Sequence, residues 1–437
     1  MGKDDATQQV SSSSQNQHCI RCDDDANCNV NKSNDDEQRH FESVCTAYRQ
    51  YGDFSISQLR QRDFRLKALS DSQRKLLPVG LKIGAPECTK RFKDYRDATI
   101  RNQFCLDCIL KHAGQPHSQQ RESLDVDAAK RYVTDDQISK VSSVLKSLSR
   151  DWSEDGRVER DMAYSPIKAL IHKYLPLESL SSDFRWIPRI VVPGAGVGRL
   201  AFDLAAMGYS VQGNEFSLYM LLASDFILNN GGNFCNPERP LHISPWLQES
   251  RNVHKSTDPL RTIQIPDVDP VAILMPPIQD EEATESKQVP EFSMAGGDFV
   301  SIYNHDQEAG QWDCVASCFF LDATPNIVET LQVIYKMLKP GGILVNLGPL
   351  LYHWCGPPMR PGDNSLQDCR RRYSLLDDRY FTSIDLSYDD VKVILEKVGF
   401  EILEEKTGIQ CYYTADQRSM MKTEYQCVSF VAKKTIF

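Results

Sequence analysis

The sequence predicts an α/β protein: a doubly wound sheet closed by an antiparallel C-terminal strand and preceded by a helical N-terminal part. Three observations predict it. From Arg189 onward, strand and helix patterns alternate, the signature of a parallel sheet covered by helices. The first strand-to-helix junction, VVPGAGVGRL, carries Gly194, Gly196 and Gly198 at alternate positions. The last two patterns, FEILEEKTG and YQCVSFVAKK, are strands in direct succession and read as a hairpin on the sheet.

The elements follow in order. Residues 1–37 are rich in Ser, Asn, Asp and Gln. Such a tail cannot repay its ordering entropy and is expected to be disordered. Residues 38–180 read as a helical region. Phe41, Val44, Cys45 and Tyr48 recur at helical spacing, as do Leu59, Leu66 and Leu69, and Pro78 is expected to end that run. Helices are expected around 91–112, 135–150 and 159–174, the last stopped by Pro176, with a polar loop at 113–130. Residues 181–437 form the α/β domain. IVVPG is its first strand, GRLAFDLAAMG a helix with a glycine stop, SVQGNEF a strand and SLYMLLASDFILNN a helix. A proline-rich interval at about 231–292 lacks periodicity and reads as an insertion. Strand and helix then resume through FSMAGGDFVSIY, WDCVASCFFLDAT, NIVETLQVIYKML, the turn KPGG, ILVNLGPLLY and the helix YDDVKVILEKVGF.

Composition removes several function classes. The chain of 437 residues has a formal net charge of −10, which argues against nucleic acid as the main partner, because phosphate binding needs a basic footprint. No apolar run reaches the length of a membrane span. The N-terminus lacks the apolar core of an export signal, so the 14 cysteines are read as reduced thiols in the cytoplasm or nucleus. Cys19, Cys22 and Cys28 have no clear fourth ligand. Cys105, Cys108 and His112 share a helical face without the second pair that a structural zinc needs, so no metal is expected.

The glycine turn accommodates NAD, FAD or S-adenosyl-L-methionine. Glycine lets backbone approach a ligand, the following helix points its N-terminus at it, and Glu215 at the end of the next strand can accept both ribose hydroxyls. Three features select among these. Asp298 and Phe299 follow the third strand, where an acid can meet an adenine amino group and a ring can lie on the base. LKPGG precedes the fifth strand. The C-terminal strands close the sheet. Together they resemble class I S-adenosylmethionine methyltransferases, and the second half lacks the further glycine turn a dinucleotide would need. Pro193 stands where many such enzymes place an acid. Arg150 is the candidate bidentate partner for the methionine carboxylate, its plain alternative being a surface ion pair.

PGAGVGRLAFDLA, GYSVQGNEFS, IPDVDP, MAGGDF, WDCVASCFFLDAT, LKPGGILVNLGPLLYHW and SMMKTEYQCVSFV resemble the carnosine N-methyltransferases, from about residue 40 to the C-terminus. The resemblance implies methyl transfer to an imidazole nitrogen of carnosine, giving anserine. It implies cofactor contacts from Arg150, Gly194, Glu215, Asp298 and Phe299, and substrate contacts from Asp322, His353 and Tyr413, with Tyr412 a second candidate. The partner implied is a small imidazole dipeptide, and a homodimer is left open.

The residues make chemical sense on their own. Ligands of open α/β sheets sit beyond the carboxyl ends of the strands. Asp322 follows the fourth strand and His353 the fifth, so both are expected to face the crevice of the glycine turn. Tyr412 and Tyr413 fall between the last two strands and can fold over a substrate. Either Asp322 or His353 can accept one imidazole N–H, which frees the lone pair of the other nitrogen. Each has a plainer reading: Asp322 as the cap of the next helix, His353 as a core histidine and Tyr413 as packing. Methylation of a protein side chain, and a cofactor-binding regulatory subunit without catalysis, are the alternatives.

Overall fold

The structure is a computed structural model that describes residues 30–115, 133–177, 187–235, 238–275, 290–356, 358–374, 376 and 378–435. Most of the polar tail and of the 113–130 loop therefore lies outside the described residues. The chain divides into two compact units, residues 1–43 and 44–437.

A seven-stranded sheet organises the second unit. Its strands are β1 (Arg189–Pro193), β2 (Ser210–Glu215), β5 (Phe292–Gly296), β6 (Trp312–Cys318), β7 (Leu338–Gly348), β8 (Phe400–Tyr412) and β9 (Glu424–Lys434). The strands β3 (Leu241–Ile243) and β4 (Ile263–Ile265) form a separate antiparallel pair. The order across the sheet is β5-β2-β1-β6-β7-β9-β8. The first five of these run parallel, and β9 enters antiparallel between β7 and β8. This is the doubly wound arrangement with an antiparallel C-terminal strand that the sequence predicts. The chain winds outward from β1 through β2 and β5, then returns to the other side through β6 and β7. The carboxyl ends of β1 and β6 therefore flank the reversal point, where such sheets bind ligands.

Alternate residues of the buried strands face opposite layers. Ile190, Val192, Ala316 and Val345 pack under the helices Arg157–Tyr174 and Arg199–Ala206. Val191, Val315, Leu344 and Phe430 pack under Ile327–Met337 and Tyr388–Val398.

Several boundaries differ from the expectation. The first helix, Val30–Lys67, starts inside the tail expected to be disordered. Extending a helix already formed by Val44, Tyr48 and Tyr51 costs less than starting one, so polar residues can continue it. That helix ends before Pro78, because Ser70 and Gln73 form a capping box that opens a new short helix at Asp71. KPGG lies within β7, where the register to β6 shifts between Trp312 and Cys314. Within the proline-rich interval, β3 and β4 pair. The side-chain amide of Asn102 both donates to the Ser244 carbonyl (2.9 Å) and accepts its N–H (2.6 Å), tying that pair to the helix Pro86–His112. Cys105 is buried, and His112 faces Asp225 at 3.2 Å. Among the described residues no three His, Cys, Asp or Glu side chains gather as metal ligands.

Candidate active site

The turn after β1 sets one wall of the site. Gly194, Gly196 and Gly198 have φ of +63°, +57° and +84°, a region that side chains disfavour. A Cβ on Gly194 would meet the Phe320 ring at 3.0 Å, so glycine there lets the turn approach the segment after β6. Gly198 serves differently: a Cβ would meet Ser224 and Leu228 at 3.0 Å, and it is absent from the cavity lining. Its role is close helix packing at the start of Arg199–Ala206.

Glu215 ends β2 and turns back on this loop. Its Oε2 accepts the Gly196 N–H (2.8 Å) and its Oε1 the Ser217 N–H (2.7 Å). Burial pushes its pKa up, against those two donors. A carboxylate has about four acceptor positions, so two hydrogen bonds leave capacity for hydroxyls. Asp298 caps the helix Phe299–Tyr303 through the Ser301 N–H (2.9 Å), and Phe299 is buried against Phe320. Gly194, Gly196, Glu215, Asp298 and Phe299 all line one cavity of about 350 Å3 at the reversal point.

Arg150 lines the same cavity, but its fork is engaged. Nε and Nη2 donate to the two oxygens of Asp151 at 2.7 and 2.8 Å. Burial acts against its charge, yet Asp151 outweighs it and raises its pKa. The bidentate grip expected on a ligand is thus directed to a buried neighbour, which leaves its other N–H donors for the cavity. Arg160, also in the cavity wall, pairs with Asp267 of the IPDVDP segment at 2.9 Å, and Arg199 pairs with the same carboxylate at 2.7 Å.

The opposite wall comes from the segments after β6, β7 and β8. Phe319, Phe320, Ala323, Thr324, Trp354, Tyr412 and Tyr413 line it. Asp322 and His353 do not, which corrects the expectation that both side chains face the crevice directly. The Asp322 side chain is 1% exposed, and its Oδ2 accepts the Leu351 N–H (2.8 Å). Its carbonyl accepts the His353 N–H (3.0 Å). The carboxylate thereby ties the end of β6 to the segment after β7. Burial pushes the Asp322 pKa up, opposed by Leu351 and His353. Asp322 does not cap the next helix, because Asn326 does so through the Val328 and Glu329 N–H groups. His353 is exposed, so it is not a core histidine. Tyr413 is 41% exposed, with its ring on Phe319 (5.2 Å) and on the Arg150 guanidinium (5.0 Å).

The sequence reading missed three residues in or behind this wall. Tyr425 faces Phe319 at 5.8 Å, and burial followed by Asp322 and Tyr413 raises its pKa. Arg379 lies over Trp354 (4.2 Å) and Phe216 (4.9 Å) at the cavity. Glu159 lies in the cavity wall and binds the backbone after Tyr413. None had a local signal, although Trp354 adjoins His353 and Phe319 stands shortly before Asp322.

The family model for carnosine N-methyltransferase matches residues 127–436. The carnosine N-methyltransferase of Mus musculus is 35% identical over 401 residues, covering 91% of this chain and 86% of that protein. That of Drosophila melanogaster is 32% identical over 417 residues, covering 92% and 80%. The Schizosaccharomyces pombe protein is 34% identical over 294 residues, covering 67% and 70%. A solved SAM-dependent methyltransferase from Methanosarcina mazei overlays on 61% of this chain and 98% of its own, at 14% identity and a TM-score of 0.32. On its sequence, this chain belongs to the carnosine N-methyltransferase family.

Proposed function

We propose that this enzyme of the carnosine N-methyltransferase family methylates an imidazole nitrogen of carnosine, forming anserine, with S-adenosyl-L-methionine as donor. One observation carries the reading. A single cavity at the β1/β6 reversal is walled on one side by a glycine turn and two acids suited to an adenosyl group, and on the other by aromatic rings suited to an imidazole. The donor, when bound, supplies an electrophilic sulfonium methyl. The Gly194–Gly196 backbone and Glu215 fit its ribose and methionine portions, Asp298 and Phe299 its adenine, and Arg150 its carboxylate through the donors that Asp151 leaves.

The remaining demand is aim. An imidazole has a pKa near 6.5 and is mostly neutral at pH 7, so no strong base is required. Asp322 or His353 accepts one ring N–H and so fixes which nitrogen is nucleophilic. The Asp322 carboxylate also stabilises the positive charge that develops on the ring. For Asp322 to do so, the ring must reach past Phe319 to the segment that Asp322 and His353 share. Tyr412, Tyr413 and Trp354 enclose it and exclude water. Holding the lone pair in line supplies about 7–11 kcal/mol of the acceleration.

The test is incubation of the full chain with methyl-labelled S-adenosylmethionine and a panel of carnosine, histidine and other imidazole peptides. Label on a ring nitrogen of carnosine, located by NMR, is expected, together with binding of S-adenosylhomocysteine and not of NAD. Binding of S-adenosylhomocysteine with no transfer to any imidazole would overturn the acceptor assignment.

A further inference from the structure

We infer that Glu159 is a positioning residue: it clasps the turn behind Tyr413 and so sets that ring against the acceptor. The inference rests on the functional reading above, in which Tyr413 encloses the imidazole.

Glu159 sits in the first turn of Arg157–Tyr174, a segment that packs under β6, β7 and β8. Its side chain reaches the chain between β8 and β9. Oε1 accepts the Thr414 N–H in a short hydrogen bond, and Oε2 accepts the Ala415 N–H at 2.9 Å. Two successive backbone donors converging on one carboxylate make an anion-binding nest, here occupied by the protein's own side chain. Glu159 is only 7% exposed, so its charge depends on those donors and on the field of Arg150.

The turn needs such a hold. Thr414 has a φ of +48°, and a β-branched residue enters that region only when its surroundings impose it. Tyr413 is the residue immediately before. Its ring has contacts with Phe319 and Arg150, yet it is 41% exposed beside the cavity. Its backbone is therefore fixed from one side by β8 and from the other by Glu159. Releasing the clasp frees the turn to relax toward negative φ, which swings Tyr413 off Phe319. The glycine turn and Glu215 are held by separate hydrogen bonds and do not depend on it.

Glu159→Gln in the full-length enzyme tests this. The glutamine keeps one acceptor oxygen and turns an NH2 toward the second backbone N–H. The expected result is a rise in KM for carnosine of at least about ten-fold, with the Kd for S-adenosylhomocysteine within about two-fold of wild type. The double variant with Tyr413→Ala should then lose no more than Tyr413→Ala alone, because both changes remove the same ring placement. An unchanged KM, an additive double variant, or equal loss of S-adenosylhomocysteine binding would overturn the inference. If Glu159→Gln is recovered only as aggregate, Glu159→Asp carries the test: it keeps the charge but lacks the reach for both N–H groups, and the same KM pattern is required. A wild type that methylates no imidazole defeats the functional reading itself. An active wild type with an indistinguishable Glu159→Gln enzyme defeats only the clasp.

Discussion

The two walls of the cavity place backbone in the same left-handed region by opposite means. On the cofactor wall, the residues with φ near +60° are Gly194 and Gly196. On the acceptor side, they are Phe319 at +54°, Tyr352 at +50° and Thr414 at +48°. Glycine occupies that region without penalty, whereas a side chain there costs on the order of 1–3 kcal/mol. Each strained residue sits beside a fastening. Phe319 donates its N–H to the Leu347 carbonyl (3.0 Å), the Tyr352 hydroxyl donates to the Leu386 carbonyl (2.9 Å), and Thr414 is held by Glu159. The cofactor wall is thus a local backbone device. The acceptor wall is a set of rings forced into place by contacts distant in sequence.

Four changes would break or sharpen that contrast. Asp322→Asn should have the largest effect. It keeps an oxygen for the Leu351 N–H but removes the charge opposite the developing imidazolium. We expect kcat to fall about 100-fold, the range seen when one group stabilising transition-state charge is removed. S-adenosylhomocysteine affinity, measured by calorimetry, should stay within about two-fold. A parallel loss of that affinity would erase the division between the walls.

Gly194→Ala attacks the other wall. The added Cβ meets Phe320 at 3.0 Å in a backbone conformation that alanine resists. A strain of about 1–3 kcal/mol corresponds to roughly 5- to 150-fold weaker S-adenosylhomocysteine binding. Unaltered binding would mean that the turn does not approach the ligand.

Acidification should act on the cofactor wall through Glu215. Burial raises its pKa, and the ionised form is the one that accepts hydroxyls. Affinity is therefore full above that raised pKa and lost as pH falls through it, at a higher pH than for a free glutamate near 4.3. The slope should approach ten-fold per pH unit and disappear in Glu215→Gln. A Glu215→Gln enzyme that keeps the slope would assign it to another group.

The smallest effect is expected at Thr414→Gly. Relief of the left-handed strain, reduced by the added freedom of the unfolded chain, should raise folding stability by up to about 1 kcal/mol in urea titrations. KM for carnosine should rise, because the clasped turn becomes looser. A loss of stability would show that Thr414 is not strained.

The local patterns that carry the fold were legible. Alternating strand and helix from Arg189, the GxGxG spacing, Glu215 at the end of β2 and Asp298 just past a strand all declare themselves within a few residues, because short-range geometry dictates them. Asp322, His353 and Tyr413 were named through resemblance, and the expectation that Asp322 and His353 line the cavity directly was mistaken. Position after a strand gives the end of the sheet but not the direction of a side chain. Glu159, Tyr425 and Arg379 left no trace that sequence reasoning could use, since each acquires its role from a partner far along the chain.

The sequence by itself determined the alternation of strand and helix that makes a parallel sheet, and the glycine turn, because hydrophobic period and the absence of a Cβ act locally. Only the tertiary structure decided where Arg150 directs its fork, what Asp322 binds and how Tyr413 is held. Those outcomes depend on which buried donors and acceptors meet once the chain is packed, and that pairing is set by burial across the whole fold.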